Sequence, residues 1–398
     1  MSSQTSSQLT AAEAAARLGV QRATLYAYVS RGLISRTVAM DGRTSLFDTE
    51  EVEQLRAGRR TATEGELATL ITTRLTRVSD ERVIVRGSDL VELLDDGLTF
   101  EQVADHLWQA GAEEQWPDIH DVQEIGPVLS ALPETTRPLD RMRIITSMLS
   151  ANDPLRHDLS DHSVRSVARS VITAMVIGAA PQGTAPSAGT PLAAALLSRL
   201  TGRSGTLKQR SAVNAALVLL IDHGLASSTF AARIAASVRS DPYSVVGAGL
   251  GVLGGQLHGA ASAPVHDLFV SIEKTKDPSQ AIGATQERHG SIPGFGHSVY
   301  RTNDPRCAPL LEAIGQAWAG ERRLGIVHEA ADIVAARTDA VPNVDFALGA
   351  LSYLSRMDPS AGEAIFAIAR TAGWLAHAME EYVERPLRFR TRARYLSA

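Results

Sequence analysis

From Thr61 to its C terminus the chain reads as punctuated helix. Long runs carry apolar residues at helical spacing, separated by clusters of Gly, Pro and Asp, with almost none of the two-residue alternation that marks strands. Loops are expected at Gly202–Gly205, Pro293–Gly296 and Asp304–Pro305. Only Ile71–Leu75 and Arg82–Val85 suit a small β-hairpin. No period of 20–50 residues recurs, which excludes a solenoid. A mainly α body of this kind, within 398 residues, predicts two or three compact units. Hydrophobic residues at 44% and charged residues at 21% exclude a disordered or collagen-like chain. The longest apolar stretches, Val171–Ala180 and Ala215–Ile221, fall short of the ~20 residues that cross a bilayer. One cysteine, Cys307, excludes a disulfide framework and a Cys-based zinc module. Met1–Gln8 carries no positive charge and no apolar run follows it, so a cytoplasmic protein without a signal peptide or membrane contact is expected.

The first sixty residues differ from the rest. They hold eight arginines against six acids, whereas the whole chain has a net charge of −5. Thr10-Ala11-Ala12-Glu13 is a capping box that opens a helix, and Gly19 closes it. A second helix is predicted from about Gln21 to Arg31. Leu33–Thr37 and Thr44–Phe47 flank Asp41-Gly42, a dipeptide favoured in tight hairpins. Asp48 to Glu51 would cap a third helix through Val52 and Leu55. Helix, turn, helix, wing, helix resembles the winged helix-turn-helix of MerR-type regulators and excisionases. That resemblance implies a DNA-binding domain over residues 1–60, with Gln21, Arg22, Thr24 and Tyr26 on or near the recognition helix. A small protein-interaction module fits the same pattern, and the charge excess is small.

Gly249-Leu250-Gly251-Val252-Leu253-Gly254 satisfies the GxGxxG pattern of dinucleotide sites. That motif works only between a strand and a helix, and here both flanks read as helix. Close helix packing through small residues is the better reading. Three of the eleven histidines lie in polar or glycine-rich settings: Asp222-His223-Gly224, Gln256 to Ala261 around His258, and Pro293 to His297. Glycine beside histidine lets backbone and ligand approach closely, although a single such histidine is more often structural. No HExxH and no partnering cysteine support a metal site, and no G-x-S-x-G elbow supports a serine hydrolase.

In chain order, these blocks and their neighbours resemble the citrate synthase family. Val85–Leu90 with Thr99–Trp108 is similar to the family's Y-R-G-x-x-I and F-x-E-V-x-x-L-L-W. Asp222–Arg233 resembles D-H-E-x-N-A-S-T-F-x-x-R, and Leu257–Ala261 resembles L-H-G-G-A. Gly294–His297 with Val299, Tyr300 and Asp304-Pro305-Arg306 resembles G-F-G-H-R-V-Y-x-x-x-D-P-R. Asn343–Phe346 matches N-V-D-F, and Ala369–His377 resembles A-R-x-x-G-W-x-A-H.

The resemblance spans about residues 68–396 and implies a two-domain helical body. Its large domain would comprise 61–264 plus 366–398, and its small domain 265–365. It implies Asp345 as the base that removes a proton from an acyl-CoA, and His258 as the donor to the thioester carbonyl. His297 would polarise the keto group of oxaloacetate. His223, Arg306 and Arg370 would bind that substrate, with an arginine from the C-terminal tail donated across a homodimer or higher even oligomer. Forked arginines suit a dicarboxylate better than lysines. For the tail residue, Arg390 keeps the spacing before Tyr395, and Arg385 is the other candidate. Pro293, Gly294, Phe295 and Gly296 would approach CoA. No cofactor is implied beyond acetyl-CoA or propionyl-CoA as substrate.

The chain departs from the family pattern beside these groups. Gly224 and Ala226 stand for the Glu and Asn of D-H-E-x-N, Ser262 and Ala263 follow the L-H-G block, Ser298 replaces an arginine and Arg301 a lysine. Polar partners that orient the histidines are thereby lost, which can alter activity or acyl choice. The leading expectation is citrate formation from acetyl-CoA and oxaloacetate, with 2-methylcitrate formation from propionyl-CoA as its near variant. The alternative from another class is a DNA-binding regulator whose body senses a metabolite.

Overall fold

The computed structural model describes residues 8–30, 34–39, 44–49, 51–53, 55, 71–79, 82–111, 114–118, 125–180, 187–256, 258–296, 300 and 303–389. Two compact units divide it, Met1–Thr72 and Thr73–Ala398. In the first, Thr10 Oγ1 accepts from the Glu13 amide at 3.4 Å while Glu13 Oε2 accepts from the Thr10 amide at 2.8 Å. This reciprocal cap starts α1 (Ala11–Leu18), and Gly19 in the left-handed region ends it. Next come α2 (Arg22–Ser30) and an antiparallel pair, β2 (Thr37–Val38) and β3 (Ser45–Asp48). Asp41-Gly42, expected at the turn between them, lies outside the described residues. Asp48 Oδ1 accepts from the Glu51 amide at 3.2 Å, the cap expected for a third helix. The sequence did not signal β1 (Gln8–Thr10), which pairs with β3, because three residues are too few to show alternation. Ala14, Leu18, Leu25, Ile34, Phe47 and Val52 form a core belonging to this unit.

The second unit opens with an antiparallel meander, β4 (Thr76–Val78), β5 (Val83–Val85) and β6 (Ser88–Asp89). The strand expected over Ile71–Leu75 therefore starts later. Ser79 donates its amide to the Arg82 carbonyl at 3.0 Å, and Arg82 donates back to Ser79 Oγ at 3.2 Å. This turn sets Thr76 opposite Val85 and leaves Leu75 as a core residue just before the strand. The rest is helical: α3 (Leu90–Asp95), α4 (Phe100–Trp108), α5 (Gly126–Ala131), α6 (Pro138–Asn152), α7 (Asp161–Gly178), α8 (Leu192–Thr201), α9 (Leu207–Leu220), α10 (Ser227–Ser237) and α11 (Pro242–Leu253). A 3₁₀ turn at Gly259–Ser262 leads into α12 (Ala263–Thr275). Then follow α13 (Pro278–His289), α14 (Cys307–Ala317), α15 (Arg322–Ala335), α16 (Val344–Leu354) and α17 (Ala361–Tyr382).

Helix α17 organises this unit. Apart from Glu380, every residue of its 22 is buried, as befits a helix that is apolar nearly all round. It packs against α7, α9, α10 and α11. The contact with α11 explains the GxGxxG stretch: a Cβ on Gly249 would lie 2.5 Å from Cδ2 of Trp374. These glycines sit within and at the end of one helix, and Gly249 is needed for helix contact rather than for a phosphate. Five polar side chains are sunk into the same core from α17, Glu363, Arg370, Thr371, His377 and Glu381. Polar groups placed so deep must find partners, and their partners lead to the site.

Candidate active site

Asp345 is placed by a helix start. Asn343 caps α16, its Oδ1 accepting from the amides of Asp345 at 2.9 Å and Phe346 at 3.3 Å, while its Nδ2 donates to the Gly296 carbonyl at 2.6 Å. The backbone of Asn343 donates to the Gly294 carbonyl at 2.9 Å, and Gly296 donates to Val341. The glycine loop and the start of α16 are thus tied together. Gly294 has φ +81°, and a Cβ there would come within 2.8 Å of Val265 and 2.9 Å of Phe346, so no other residue fits without displacement. Asp345 keeps part of its surface toward the cavity, yet its Oδ1 is sealed from solvent and bonds to no described residue. Burial pushes its carboxyl up to about 6; the Arg306 charge opposes this and the Asp304 charge adds to it.

Two arginines converge on the same cavity. Arg306 is buried and held bidentate by Asp304, with Nε 2.9 Å from Oδ1 and Nη2 2.8 Å from Oδ2. Asp304 Oδ2 also accepts from the Val344 amide at 3.0 Å, which joins this pair to the start of α16. Arg370 is 1% exposed. Its Nε donates to the Leu220 carbonyl at 2.9 Å and its guanidinium lies 4.7 Å from the Phe366 ring centre. Neither Nη1 nor Nη2 bonds to any described residue. Burial lowers its pKa to about 10, the Asp222 carboxylate working against that and the Arg306 charge with it. The group remains a cation at neutral pH, with a free fork.

The histidines differ in setting. His258 Nε2 lies 2.8 Å from Ser228 Oγ, and Trp374 Nε1 donates to the same oxygen at 3.3 Å. Ser228 can then give its own proton to Nε2, which leaves Nδ1–H as a donor for a ligand. Burial, helped by the Arg370 charge, drives the His258 pKa down to about 4, so the ring is neutral at pH 7. His223 Nε2 lies 2.5 Å from the Tyr300 hydroxyl, and the two rings meet edge to face. The turn before it is fixed by the Gly224 amide, which donates to Asp222 Oδ2 at 3.2 Å.

His223, His258, Arg306, Asp345 and Arg370 all line one cavity of about 770 Å³, together with Gly296 of the glycine loop and Thr76 and Val78 of β4. Pro293, Gly294 and Phe295 do not line it; Phe295 instead packs on Phe346, ring centres 5.0 Å apart. His297 and Arg390 lie outside the described residues. In the first unit Gln21, Arg22 and Tyr26 are exposed and Thr24 is half-buried, with the Tyr26 hydroxyl donating to Ser45 Oγ at 3.2 Å. Sequence reasoning gave no role to Asp304, Asn343, Ser228, Tyr300 or Phe366. Asn343 was findable as an Asn before a helical run, and Asp304 as a carboxylate two residues from an arginine. Ser228 and Tyr300 lie in the blocks around His223 and His297 but were given no role there, and Phe366 is marked by nothing local.

The family described as citrate synthase, C-terminal domain, matches residues 66–392. The chain belongs to the citrate synthase family. It is 32% identical to 2-methylcitrate synthase of Mycobacterium tuberculosis over 265 residues, covering 64% of this chain and 67% of that protein. It is 29% identical to citrate synthase 2 of Bacillus subtilis over 362 residues, 83% of this chain and 94% of the other. Among solved structures, a citrate synthase of Thermoplasma acidophilum in ternary complex with carboxymethyl coenzyme A and oxaloacetate superposes with a TM-score of 0.68. That match has 23% identity and covers 83% of this chain and 94% of the other. Citrate synthase from Thermotoga maritima gives the same score at 24% identity and the same coverage of both chains. At these identities the structural matches speak for the fold.

Proposed function

We propose that the chain condenses a short acyl-CoA with oxaloacetate, making citrate from acetyl-CoA, with propionyl-CoA and 2-methylcitrate as the near variant. The observation that carries this reading is the pairing, in one cavity, of a buried arginine fork with no described partner and a cavity-lining carboxylate pushed to about 6 by burial. An anionic ligand would compensate Arg370, and a weakly acidic C–H would meet Asp345 as its base. In this reading Asp345 takes a proton from the carbon beside the thioester carbonyl. The electron pair moves to the carbonyl oxygen, where Nδ1–H of neutral His258 stabilises the enol. That carbon attacks the keto carbon of oxaloacetate, whose carboxylates sit on Arg306 and Arg370 beside His223. The keto oxygen gains a proton, assigned here to His297, and water then cleaves the thioester to release CoA. Residues 265–365 would close over the dicarboxylate as a small domain on a large domain of 61–264 and 366–398, and Arg390 would come from the other subunit of a dimer. The test is mass analysis of the product from oxaloacetate with equimolar acetyl- and propionyl-CoA. A tricarboxylate bearing one of the two acyl carbon skeletons is expected. Free acyl acid with unchanged oxaloacetate would contradict a carbon–carbon bond-forming reaction.

A second reading concerns the first unit. Arg22 is the first residue of α2 and Tyr26 lies one turn on along the same face, both exposed, beside the β2–β3 pair. A helix presented this way suits a DNA major groove. Binding to the promoter of its own gene should fall steeply with salt and weaken in Arg22→Ala. Full-length protein that binds no DNA at low salt would make this unit an interaction module instead.

A further inference from the structure

Behind the cavity runs a chain of buried charged groups that the condensation itself does not use. Arg388 grips Glu381 with two bonds of 2.7 and 2.6 Å, and Glu381 Oε2 accepts from Arg233 Nε at 3.0 Å. Arg233 Nη1 lies 2.8 Å from His377 Nδ1 and also donates to Glu380 at 2.7 Å. His377 Nε2 in turn lies 3.3 Å from Asp222 Oδ2. Arg233, Glu381, His377 and Asp222 have no exposed surface at all. Arginine is always a donor, so Nδ1 of His377 must accept, and the ring proton stands on Nε2, aimed at Asp222.

We infer that His377 is a positioning residue for the dicarboxylate subsite: fixed as the Nε2–H tautomer by Arg233, it holds Asp222, and through Asp222 the turn that presents His223 and the counter-charge that faces Arg370. The coupling is steric as well as electrostatic. A Cβ on Gly373, one turn before His377, would lie 2.6 Å from both Asp222 Oδ1 and the Ile221 carbonyl, so α17 presses directly on the 221–224 turn. The same turn begins where Leu220 accepts from Arg370 Nε. Asp222 Oδ2 takes both the His377 and the Gly224 bonds, so losing the histidine donor frees one corner of the turn that carries His223. Charge acts along the same path. Burial alone would raise the Asp222 carboxyl, but the hydrogen bond from His377 and the charge of Arg370 hold it below the usual range, so it faces Arg370 as an anion. Among the described residues, the acyl-CoA end of the cavity, at His258 and Asp345, takes no bond from these buried groups.

This inference rests on oxaloacetate as the ligand of Arg370, so binding to the wild-type protein is measured first by calorimetry. Failure to bind there contradicts the proposed function rather than the relay. The relay is read from two isosteres. In His377→Gln the amide nitrogen reaches the place of Nε2 and can still donate to Asp222. In His377→Asn the amide occupies the place of Nδ1 and cannot. His377→Asn should raise the KM for oxaloacetate about tenfold or more while leaving the acyl-CoA KM unchanged, and His377→Gln should restore most of it. An unchanged oxaloacetate KM in His377→Asn, or equal losses for both substrates in both variants, overturns the inference. If neither variant folds, nitrogen-15 spectra of the wild-type histidines decide the matter: Nε2–H at His377 supports the relay and Nδ1–H overturns it.

Discussion

At the scale of single residues, Asp345 carries the clearest trade between stability and chemistry. Its carboxyl is raised to about 6 by burial, with Arg306 opposing and Asp304 reinforcing the shift. A folded-state pKa above the unfolded value near 3.9 means the ionised group disfavours folding above pH 6, and that this strain fades as pH falls through 6 toward 4. Replacing it should therefore remove activity and add stability together. Asp345→Asn is expected to lose about 10²-fold or more in kcat. At pH 7 it should also gain stability, by at most about 3 kcal/mol since a pKa unit corresponds to about 1.4 kcal/mol. The acid limb of kcat/KM in the wild type should fall near pH 6 and disappear with this carboxylate. A variant that keeps near wild-type turnover would remove Asp345 from the mechanism. Asp345 was singled out in the sequence only because Asn343–Phe346 matches the family's N-V-D-F, and no spacing marked its carboxylate as buried. The free fork of Arg370 was not legible. Whether an arginine is solvated or sealed depends on what surrounds α17, and no spacing within the chain records that.

At the scale of elements, helical periodicity and capping gave most of the body, and the failures are instructive. The β4–β5 hairpin was foreseen, but its first strand was displaced from 71–75 to 76–78, because the Ser79–Arg82 turn sets the register more firmly than apolar residues do. Strand β1 has no sequence signal because its three residues are too few to show alternation, and its pairing with β3 joins distant positions, Gln8 with Asp48. The glycine pattern at 249–254 was read as helix packing, and α11 against Trp374 has that geometry. Gly249→Ala should push a methyl into the indole and cost about 1–3 kcal/mol through overpacking. It should also loosen His258, because Trp374 donates to the Ser228 hydroxyl that meets this ring. Thermal unfolding checks the first effect, and an unchanged melting temperature would mean that α11 and α17 can separate at no cost.

At the scale of the whole molecule, the chain joins a small unit with its own core to a citrate synthase body in which one long buried helix carries Glu363, Arg370, His377 and Glu381 into the core. Among the described residues no helix is long and apolar enough to cross a membrane. The departures at Gly224 and Ala226 line the cavity, and Ser262 follows its lining residue Ala261, without removing Asp345, His258, Arg306 or Arg370 from it. If the base and the arginine fork serve different molecules, as proposed, turnover should require both substrates. The most direct measurement is thiol release from acetyl-CoA and propionyl-CoA, with and without oxaloacetate, by the full-length protein. Free CoA should appear with at least one acyl-CoA, only when oxaloacetate is present, and only while Asp345 is intact. Release that ignores oxaloacetate would make the cavity a thioesterase, and no release with either acyl-CoA would contradict condensation altogether.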